Sequence, residues 1–185
     1  MKVILASASP RRKELLGAAG LAFEVVSSPA EEIHDASIPL DELCEKNAEL
    51  KALAVAADYL EAAVIGADTL VYIDGEPLGK PKDLNEARAM LRKLSGRSHT
   101  VCTGVCVVFP GGKVKCFHEL TAVRFLTLDD ATIEAYFEKT NPLDKAGAYG
   151  IQDSGEMIVE GIDGAFDNVM GLPVARLLEE LKAEP

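Results

Sequence analysis

Several groups of polar residues in the sequence have the types and spacing needed to bind phosphate or a metal ion. The run SASPRRK at residues 7–13 places Ser7, Ser9 and three cations at the predicted N-terminus of a helix. Backbone N–H groups at a helix N-terminus attract anions, whereas adjacent cations oppose the helix dipole there. A bound anion would remove this conflict, so the run predicts a phosphate site. An ordinary helix cap with solvated Arg and Lys side chains is the alternative.

Acidic residues form a second group. Glu31 and Glu32 stand in a long polar loop, and Asp68 is predicted to lie at the end of the apolar strand 63–68. Two separated carboxylates can hold a hard cation such as Mg²⁺ or Mn²⁺ when the fold brings them together. The spacing leaves alternatives open, because the glutamates could belong to a solvated loop and Asp68 could cap a turn.

Two further segments carry groups that suit a phosphorylated ligand. Lys80 and Lys82 flank Pro81 and present ammonium groups from a stiff turn, although lysines in surface turns are equally common. Residues 142–152, PLDKAGAYGIQ, combine two glycines with a candidate ion pair and the Gln152 amide, which favours a binding loop over a simple connector. The residues alone therefore predict a protein that binds a phosphorylated small molecule, together with a cation.

The hydrophobic pattern predicts alternating strands and helices that position these groups. The Asp74-Gly75 turn predicts a hairpin among them, so we expect an α/β protein with a mixed rather than a purely parallel sheet. Asp83 and Glu86 form a capping-box pattern before an apolar helix face. The predicted strands are 2–6, 23–26, 63–68, 70–73, 76–78, 100–109 and 113–126, and the predicted helices begin near residues 9, 41, 83, 127 and 173.

Composition narrows the class of protein. A chain of 185 residues with 48% hydrophobic and 26% charged side chains is typical of one globular domain or two small lobes. The net charge of −11 disfavours stable binding to nucleic acid. The sequence has no apolar run of the ~20 residues that a membrane span needs, and its basic cluster follows the short apolar start instead of preceding it, unlike a signal peptide.

The cysteines carry no metal-binding or redox signature. Cys44, Cys102, Cys106 and Cys116 include no C-x-x-C pair and stand in apolar or helical stretches. We expect reduced core thiols in the cytoplasm, in preference to a disulfide or a zinc site.

Six short runs occur in order along the chain: ASASPRR at 6–12, GADT at 66–69, GKP at 79–81, LSG at 94–96, DKAGAYGIQ at 144–152 and GLP at 171–173. Taken together, they resemble the Maf family of nucleoside triphosphate pyrophosphatases, also called septum-formation inhibitor proteins. The similarity extends from about Leu5 to Pro173, and the run DKAGAYGIQ resembles the branch that acts on dTTP and UTP, not the methylguanosine triphosphate branch. The combination is far more specific than any single run.

The resemblance implies hydrolysis between the α and β phosphates, giving a nucleoside monophosphate and pyrophosphate with Mg, Mn or Co as the divalent cation. Asp68 matches the family residue that accepts the proton of the attacking water. Arg11, Thr69 and Gln152 match the residues that choose the substrate. The remaining charged positions of the family pocket match Arg12, Glu32, Lys51 and Lys80.

These matches suggest a division of labour. Arg12 and the turn from Ser7 to Ser9 would hold the triphosphate, Lys80 would offset charge on the leaving pyrophosphate, and Glu32 with Asp68 would position metal and water. The resemblance also implies an elongated, two-lobed Maf/ITPase-like architecture, with a mixed, bent β-sheet flanked by helices and a central cleft, within one domain spanning 1–185. We further expect a cytoplasmic location, a homodimer, and no membrane partner.

The residues that would contact the base define the nucleotide preference less sharply than the other matches define the reaction. Gln152 could accept from the N3–H of uracil or thymine while donating to O4. Cytosine reverses this pattern, but a glutamine amide can turn over, so Gln152 alone does not exclude cytosine. Asp153 stands where this branch usually has glycine, and its carboxylate could repel phosphate or change the loop dihedrals. The segment 167–170 before the GLP run also departs from the family pattern.

Two other functions remain open from the sequence. One is a regulator of cell division that binds nucleotide or a protein partner without turnover. Binding alone would not require both Glu32 and Asp68 beside a triphosphate, which favours an enzyme. The other keeps the chemistry but takes modified nucleotides as substrates.

Overall fold

The computed structural model describes residues 1–183 of the chain. Its strands are β1 (Lys2–Leu5), β2 (Glu24–Val25), β3 (Ala62–Ile73), β4 (Glu76–Leu78), β5 (Ser98–Val108), β6 (Val114–Phe125) and β7 (Val159–Asp163). Its helices are α1 (Pro10–Ala18), α2 (Leu40–Ala56), α3 (Leu84–Leu94), α4 (Asp130–Lys139), α5 (Phe166–Met170) and α6 (Val174–Lys182). None of the helices within these residues is long and apolar enough to cross a lipid bilayer.

The strands form one mixed sheet in the order β2-β1-β3-β5-β6-β7, and β4 pairs with β3. β1 runs parallel to both β2 and β3, which requires crossover connections, and these are provided by α1 and α2. β4 is antiparallel to β3, and β7 is antiparallel to β6. The α/β class and the mixed sheet predicted from the sequence are therefore confirmed.

The chain divides into two compact units. Among the described residues, the first unit comprises 1–69, 103–119 and 171–183, and the second comprises 70–102 and 120–170. In the first unit, one apolar cluster surrounds Leu16, Leu172 and Leu177, and another lies where α2 packs through Ala48 and Ala52. The second unit has its own core, in which α3 and α4 pack with the surrounding strands and loops; its largest fully buried side chains include Leu91, Phe125 and Tyr136.

Helix α3 forms as its sequence predicts. Asp83 is the N-cap, and its Oδ1 accepts a hydrogen bond of 2.8 Å from the backbone N–H of Glu86. The buried face consists of Ala87, Met90, Leu91 and Leu94. This face is the one that the apolar spacing indicates.

Strand β3 differs from its prediction in a way that matters for the site. The structure has one continuous strand from Ala62 to Ile73, so the prediction that Asp68 ends its strand is wrong. A buried carboxylate needs hydrogen-bond donors, and the sequence pattern suggested that Asp68 finds them at the end of a strand. Side chains from α2 supply the donors instead, so the strand continues through Asp68.

Other local differences are smaller. The helix expected to open at Thr127 begins at Asp130, because Asp129 is the residue whose side chain caps it. Strand β7 and the five-residue helix α5 were not predicted, since neither is long enough to show a clear hydrophobic period.

The cysteine prediction is wrong for one pair. Cys106 and Cys116 form a disulfide between the neighbouring strands β5 and β6. The Phe109 N–H donates to the Lys113 carbonyl at the turn between the strands, and this register places the two cysteines opposite each other. Cys44 and Cys102 are buried thiols.

Candidate active site

A glycine in β3 allows helix α2 to approach the strand that carries Asp68. A Cβ on Gly66 would lie 2.1 Å from the carbonyl oxygen of Ala48 and 2.7 Å from the backbone nitrogen of Ala52. Residue 66 therefore has to lack a side chain for this packing to exist. Asp68 follows two residues later, on the same face of the strand, so its carboxylate is directed towards the same helix.

Helix α2 surrounds the Asp68 carboxylate with donors. Asp68 is 4% exposed; its Oδ1 accepts from Lys51 Nζ at 2.7 Å, and its Oδ2 accepts from Asn47 Nδ2 at 3.1 Å. Asn47 and Lys51 are one helical turn apart, which places both side chains on one face of α2. The strand carboxylate is thus held by a charged and an uncharged donor from a single helix.

Lys51 also holds the second carboxylate. Its Nζ donates to Glu32 Oε1 at 2.7 Å, and the lysine side chain is only 13% exposed. Asn47 fixes the loop next to Glu32, because its Oδ1 accepts from the Ile33 N–H at 2.7 Å and its Nδ2 donates to the Ile33 carbonyl at 3.2 Å. Glu32 and Asp68, 36 positions apart in the sequence, therefore converge on one ammonium group.

The carboxylates of Glu32 and Asp68 are the groups of the site that would hold a divalent cation. Glu32 Oε1 and Asp68 Oδ1 each lie 2.7 Å from the same nitrogen, so both hard oxygens face one position that carries positive charge. Within residues 1–183, no three His, Cys, Asp or Glu side chains form a closed metal site. Mg²⁺ commonly takes one or two carboxylates and obtains its other oxygens from water and phosphate.

Arg12 forms a second polar network in the same unit. Its Nε donates to the Gly171 carbonyl at 2.8 Å, its Nη1 to Ser7 Oγ at 3.3 Å and its Nη2 to Thr69 Oγ1 at 3.0 Å. The Thr69 hydroxyl also shares a hydrogen bond of 2.9 Å with Thr103. The guanidinium is therefore fixed in place by three different segments of the chain.

The electrostatic surroundings connect the two networks. Desolvation by the surrounding protein lowers the pKa of Arg12, and the negative charges of Asp68 and Glu32 oppose this shift. An arginine remains protonated at neutral pH even when its pKa is lowered. Arg12 is thus a permanent cation within the field of both carboxylates.

The N-terminal turn of α1 forms as predicted. Ser9 is the N-cap, and its Oγ accepts from the Arg12 N–H at 3.5 Å, while Ser7 Oγ accepts from the Ser9 N–H at 3.2 Å. Arg11 lies half-buried in the first turn of the helix. The structure thus gathers most of the residues singled out from the sequence into the first unit: Ser7, Ser9, Arg11, Arg12, Glu32, Lys51, Asp68 and Thr69.

The other two predicted residues, Lys80 and Gln152, belong to the second unit. Lys80 is exposed, next to Gly79, whose carbonyl accepts from the Gly147 N–H at 3.1 Å. Gln152 Nε2 donates to Asp153 Oδ2 at 3.2 Å. The turn that carries Lys80 is therefore hydrogen-bonded to the loop that carries Gln152.

Sequence reasoning missed two residues that support the site. Asn47 stands beside the apolar positions Cys44 and Ala48 of α2, and a polar residue within an apolar helix face was the only available signal. Thr103 is fully buried in β5, where an isolated threonine is typical of an ordinary strand. Neither belongs to a recognisable motif.

The structure thus defines a mixed α/β protein whose first unit gathers two cations and two carboxylates around one strand. Residues 2–184 match the family model described as Maf-like protein, and the chain belongs to this family. The family, the α/β class and the mixed sheet predicted from the sequence are confirmed.

Two curated relatives align with nearly the whole chain. A dTTP/UTP pyrophosphatase of Akkermansia muciniphila is 50% identical over 177 residues, which cover 96% of this chain and 93% of that protein. A dTTP/UTP pyrophosphatase of Bacillus velezensis is 48% identical over 181 residues, covering 98% and 95%. The solved structure of the Staphylococcus aureus Ham1 protein shares the fold at 16% identity, with a TM-score of 0.55 and full coverage of both chains.

Proposed function

We propose that this chain hydrolyses dTTP and UTP to the nucleoside monophosphate and pyrophosphate. The observation that carries the proposal is the convergence of Glu32 and Asp68 on Lys51, within the field of the fixed guanidinium of Arg12. Asp68 and the Lys51 ammonium are largely buried, where charges are costly to keep, and hydrolysis of a triphosphate requires charges of these kinds. Relatives at 48–50% identity that are named for this activity support the same conclusion.

The triphosphate would be bound by the cationic side of the site. Arg12, held by Ser7, Thr69 and Gly171, offers a guanidinium whose orientation is already determined before the ligand arrives. Preorganised donors stabilise developing charge without a further cost of reorganisation during the reaction. The turn from Ser7 to Ser9, at the N-terminus of α1, adds backbone and hydroxyl donors for a phosphate group.

The acidic side would activate water. Asp68 accepts a proton from the water that attacks the α phosphorus, the bond from that phosphorus to the bridging oxygen breaks, and pyrophosphate leaves. Glu32 and Asp68 would hold the divalent cation, which as a Lewis acid polarises phosphoryl oxygens when bound. Lys51 keeps the two carboxylates directed to one position, and Lys80 offsets charge on the leaving pyrophosphate.

The proposal also covers the residues that select the base, the cellular compartment and the oligomeric state. Arg11, Thr69 and Gln152 select the pyrimidine nucleotide. The protein acts on the nucleotide pool of the cytoplasm, as a homodimer with no stable nucleic-acid or membrane partner. The cytoplasmic location rests on the substrate pool alone. The Cys106–Cys116 disulfide does not support it, because disulfides are uncommon in that compartment.

A nucleotide panel tests the function. Purified protein is incubated with dTTP, UTP, CTP, ATP, GTP and ITP in the presence of Mg²⁺, Mn²⁺ or Co²⁺, and the products are separated by ion-exchange chromatography. We expect monophosphate and pyrophosphate from dTTP and UTP, and no product after chelation of the cation. Release of orthophosphate, a preference for purines, or tight binding of dTTP without turnover would contradict the proposal; the last result would favour the nucleotide-binding regulator.

A further inference from the structure

The Gln152 amide lies in a defined orientation next to a carboxylate. Its Nε2 donates to Asp153 Oδ2 at 3.2 Å. An ionised carboxylate can only accept hydrogen bonds, so the NH₂ side of the amide has to face Asp153. The reversed amide would place two oxygens against each other and leave the donor group without its partner.

Lys145 fixes the position of the Asp153 carboxylate. The lysine side chain is 7% exposed, and its Nζ lies 3.3 Å from the same Oδ2 that accepts from Gln152. Lys145 is held in turn by the Asn141 carbonyl at 2.8 Å and by Asp144 at 3.0 Å. The acceptor that orients Gln152 is therefore fixed by a buried cation.

The backbone of the loop is built around this contact. A Cβ on Gly150 would lie 2.8 Å from Asp153 Oδ2, 2.8 Å from Lys145 Cε and 3.1 Å from Gln152 Nε2. Tyr136 anchors Gly150 through both backbone groups, since its hydroxyl donates to the Gly150 carbonyl and accepts from the Gly150 N–H. The three side chains meet in space that only glycine leaves open.

The oxygen at the other end of the amide has no donor among the described residues. Gln152 Oε1 is buried and has no hydrogen-bond partner within residues 1–183. A buried acceptor without a donor is unfavourable, so a ligand that brings an N–H group gains by supplying it. Uracil and thymine carry such a group at N3, whereas N3 of cytosine is itself an acceptor.

We propose that Asp153 is a positioning residue that fixes the orientation of the Gln152 amide and thereby strengthens the preference of the protein for uracil and thymine over cytosine. The inference rests on the proposed function, because it assigns Gln152 to the base. Oε1 accepts from N3–H, and the second hydrogen of Nε2 remains available for a carbonyl oxygen of the base. A cytosine nucleotide meets an acceptor at N3, and the amide turns over only by breaking its contact with Asp153.

Variants of the loop separate the position of the acceptor from its charge. In Asp153→Ala the amide is free to turn over, and we expect the ratio of kcat/KM for UTP to that for CTP to fall about tenfold, mainly through improved use of CTP. In Asp153→Asn the carbonyl oxygen stays directed at Lys145 and Gln152, since an amide NH₂ would face an ammonium group, so the ratio is retained. Asp144→Asn is the matched control, because it removes a carboxylate from Lys145 without touching Gln152.

A modified substrate gives a test that needs no variant. The wild-type protein should use 3-methyl-UTP at least about tenfold less efficiently than UTP, because the methyl group replaces the N3–H that Oε1 accepts. Equal use of the two nucleotides, or an unchanged UTP to CTP ratio in folded Asp153→Ala, would overturn the role of Asp153 while leaving the pyrophosphatase function intact. A wild-type protein inactive on every pyrimidine triphosphate would overturn both.

Discussion

The two compact units treat their buried polar groups in different ways. In the first unit Asp68, at 4% exposure, is neutralised by the ammonium of Lys51, and Arg12 carries a charge that burial disfavours. In the second unit His99, also 4% exposed, hydrogen bonds through Nε2 to the Tyr149 hydroxyl at 2.7 Å. Burial lowers the pKa of His99 to about 4 and raises the pKa of Tyr149, so both groups are neutral at pH 7.

This difference agrees with the proposed roles, in which the charged groups of the first unit serve chemistry and the neutral groups of the second unit serve stability. A buried ion network adds little to folding stability compared with an apolar core of the same volume, so the charges of the first unit indicate a ligand. The neutral His99–Tyr149 pair also packs its rings edge-on with Phe125, which is what a structural core does. Lys145 departs from this pattern, because it is a buried charged residue in the second unit. It is ion-paired with Asp153, which contacts Gln152, the residue proposed to bind the base.

The largest expected effect is on the charged network of the first unit. Asp68→Asn keeps the shape of the side chain but removes its capacity to take a proton, so kcat for UTP should fall by about a thousandfold with a small change in Tm. Pyrophosphate release and thermal melting measure the two effects. Asp130→Asn is the control, because it removes an exposed carboxylate that is ion-paired with Arg92 at 2.8 Å. Equal activity of the two variants would contradict the assignment of Asp68.

A stability effect is expected where α2 approaches β3. The Cβ added by Gly66→Ala would overlap backbone atoms of Ala48 and Ala52, so the free energy of unfolding should fall by about 3 to 4 kcal/mol. Chemical denaturation measures it. Gly17→Ala in α1 is the matched control, since nothing lies within 4 Å of its added Cβ, and it should be stabilising by about 0.5 to 1 kcal/mol. Similar losses in both variants would show that the close approach does not position the helix.

The neutral pair of the second unit predicts sensitivity to acid. Unfolded histidine has its ordinary pKa of 6.5 and the folded His99 a pKa of about 4, so below pH 6.5 protons bind preferentially to the unfolded chain. Stability should therefore be unaffected by His99 above pH 6.5 and fall by about 2 to 3 kcal/mol as the pH drops from 6.5 to 4. Urea denaturation at a series of pH values from 6.5 to 4 measures this loss. The free energy of unfolding should fall less steeply with decreasing pH in His99→Gln than in the wild type. The exposed His34→Gln control should keep the wild-type slope.

The smallest expected effect concerns the cation. Glu32→Gln weakens one of the two proposed metal ligands, so the Mg²⁺ concentration for half-maximal activity should rise about tenfold, equivalent to about 1.4 kcal/mol. Its exposed sequence neighbour provides the control, and Glu31→Gln should leave the Mg²⁺ titration unchanged. A titration that is identical for both variants would exclude Glu32 from cation binding.

Local rules were sufficient to predict much of the fold. Helix α3 follows from the Asp83 cap and its apolar spacing, and the α1 turn follows from Ser9 and Pro10, because both signals act within a few residues. The course of β3 through Asp68 did not follow, since the donors for that carboxylate come from α2. Tertiary contacts between distant segments are outside the reach of local patterns.

The site shows the same limit. Family-like runs marked Arg12 and Asp68, whereas their spatial relation to Glu32 and Lys51 needed the structure. Asn47 could not be identified, because an isolated asparagine in a helix has no motif, although it holds both Asp68 and the backbone of Ile33. Asp153 departs from the family pattern in the sequence, but its contact with Gln152 depends on the buried position of Lys145.

Hydrolysis of UTP in ¹⁸O-labelled water tests the central claim most directly. If Asp68 activates water for attack at the α phosphorus, one labelled oxygen per turnover appears in UMP and the released pyrophosphate carries none, as read by mass spectrometry. Label in the pyrophosphate, or orthophosphate as the labelled product, would show that the charged network of the first unit does not perform the proposed reaction.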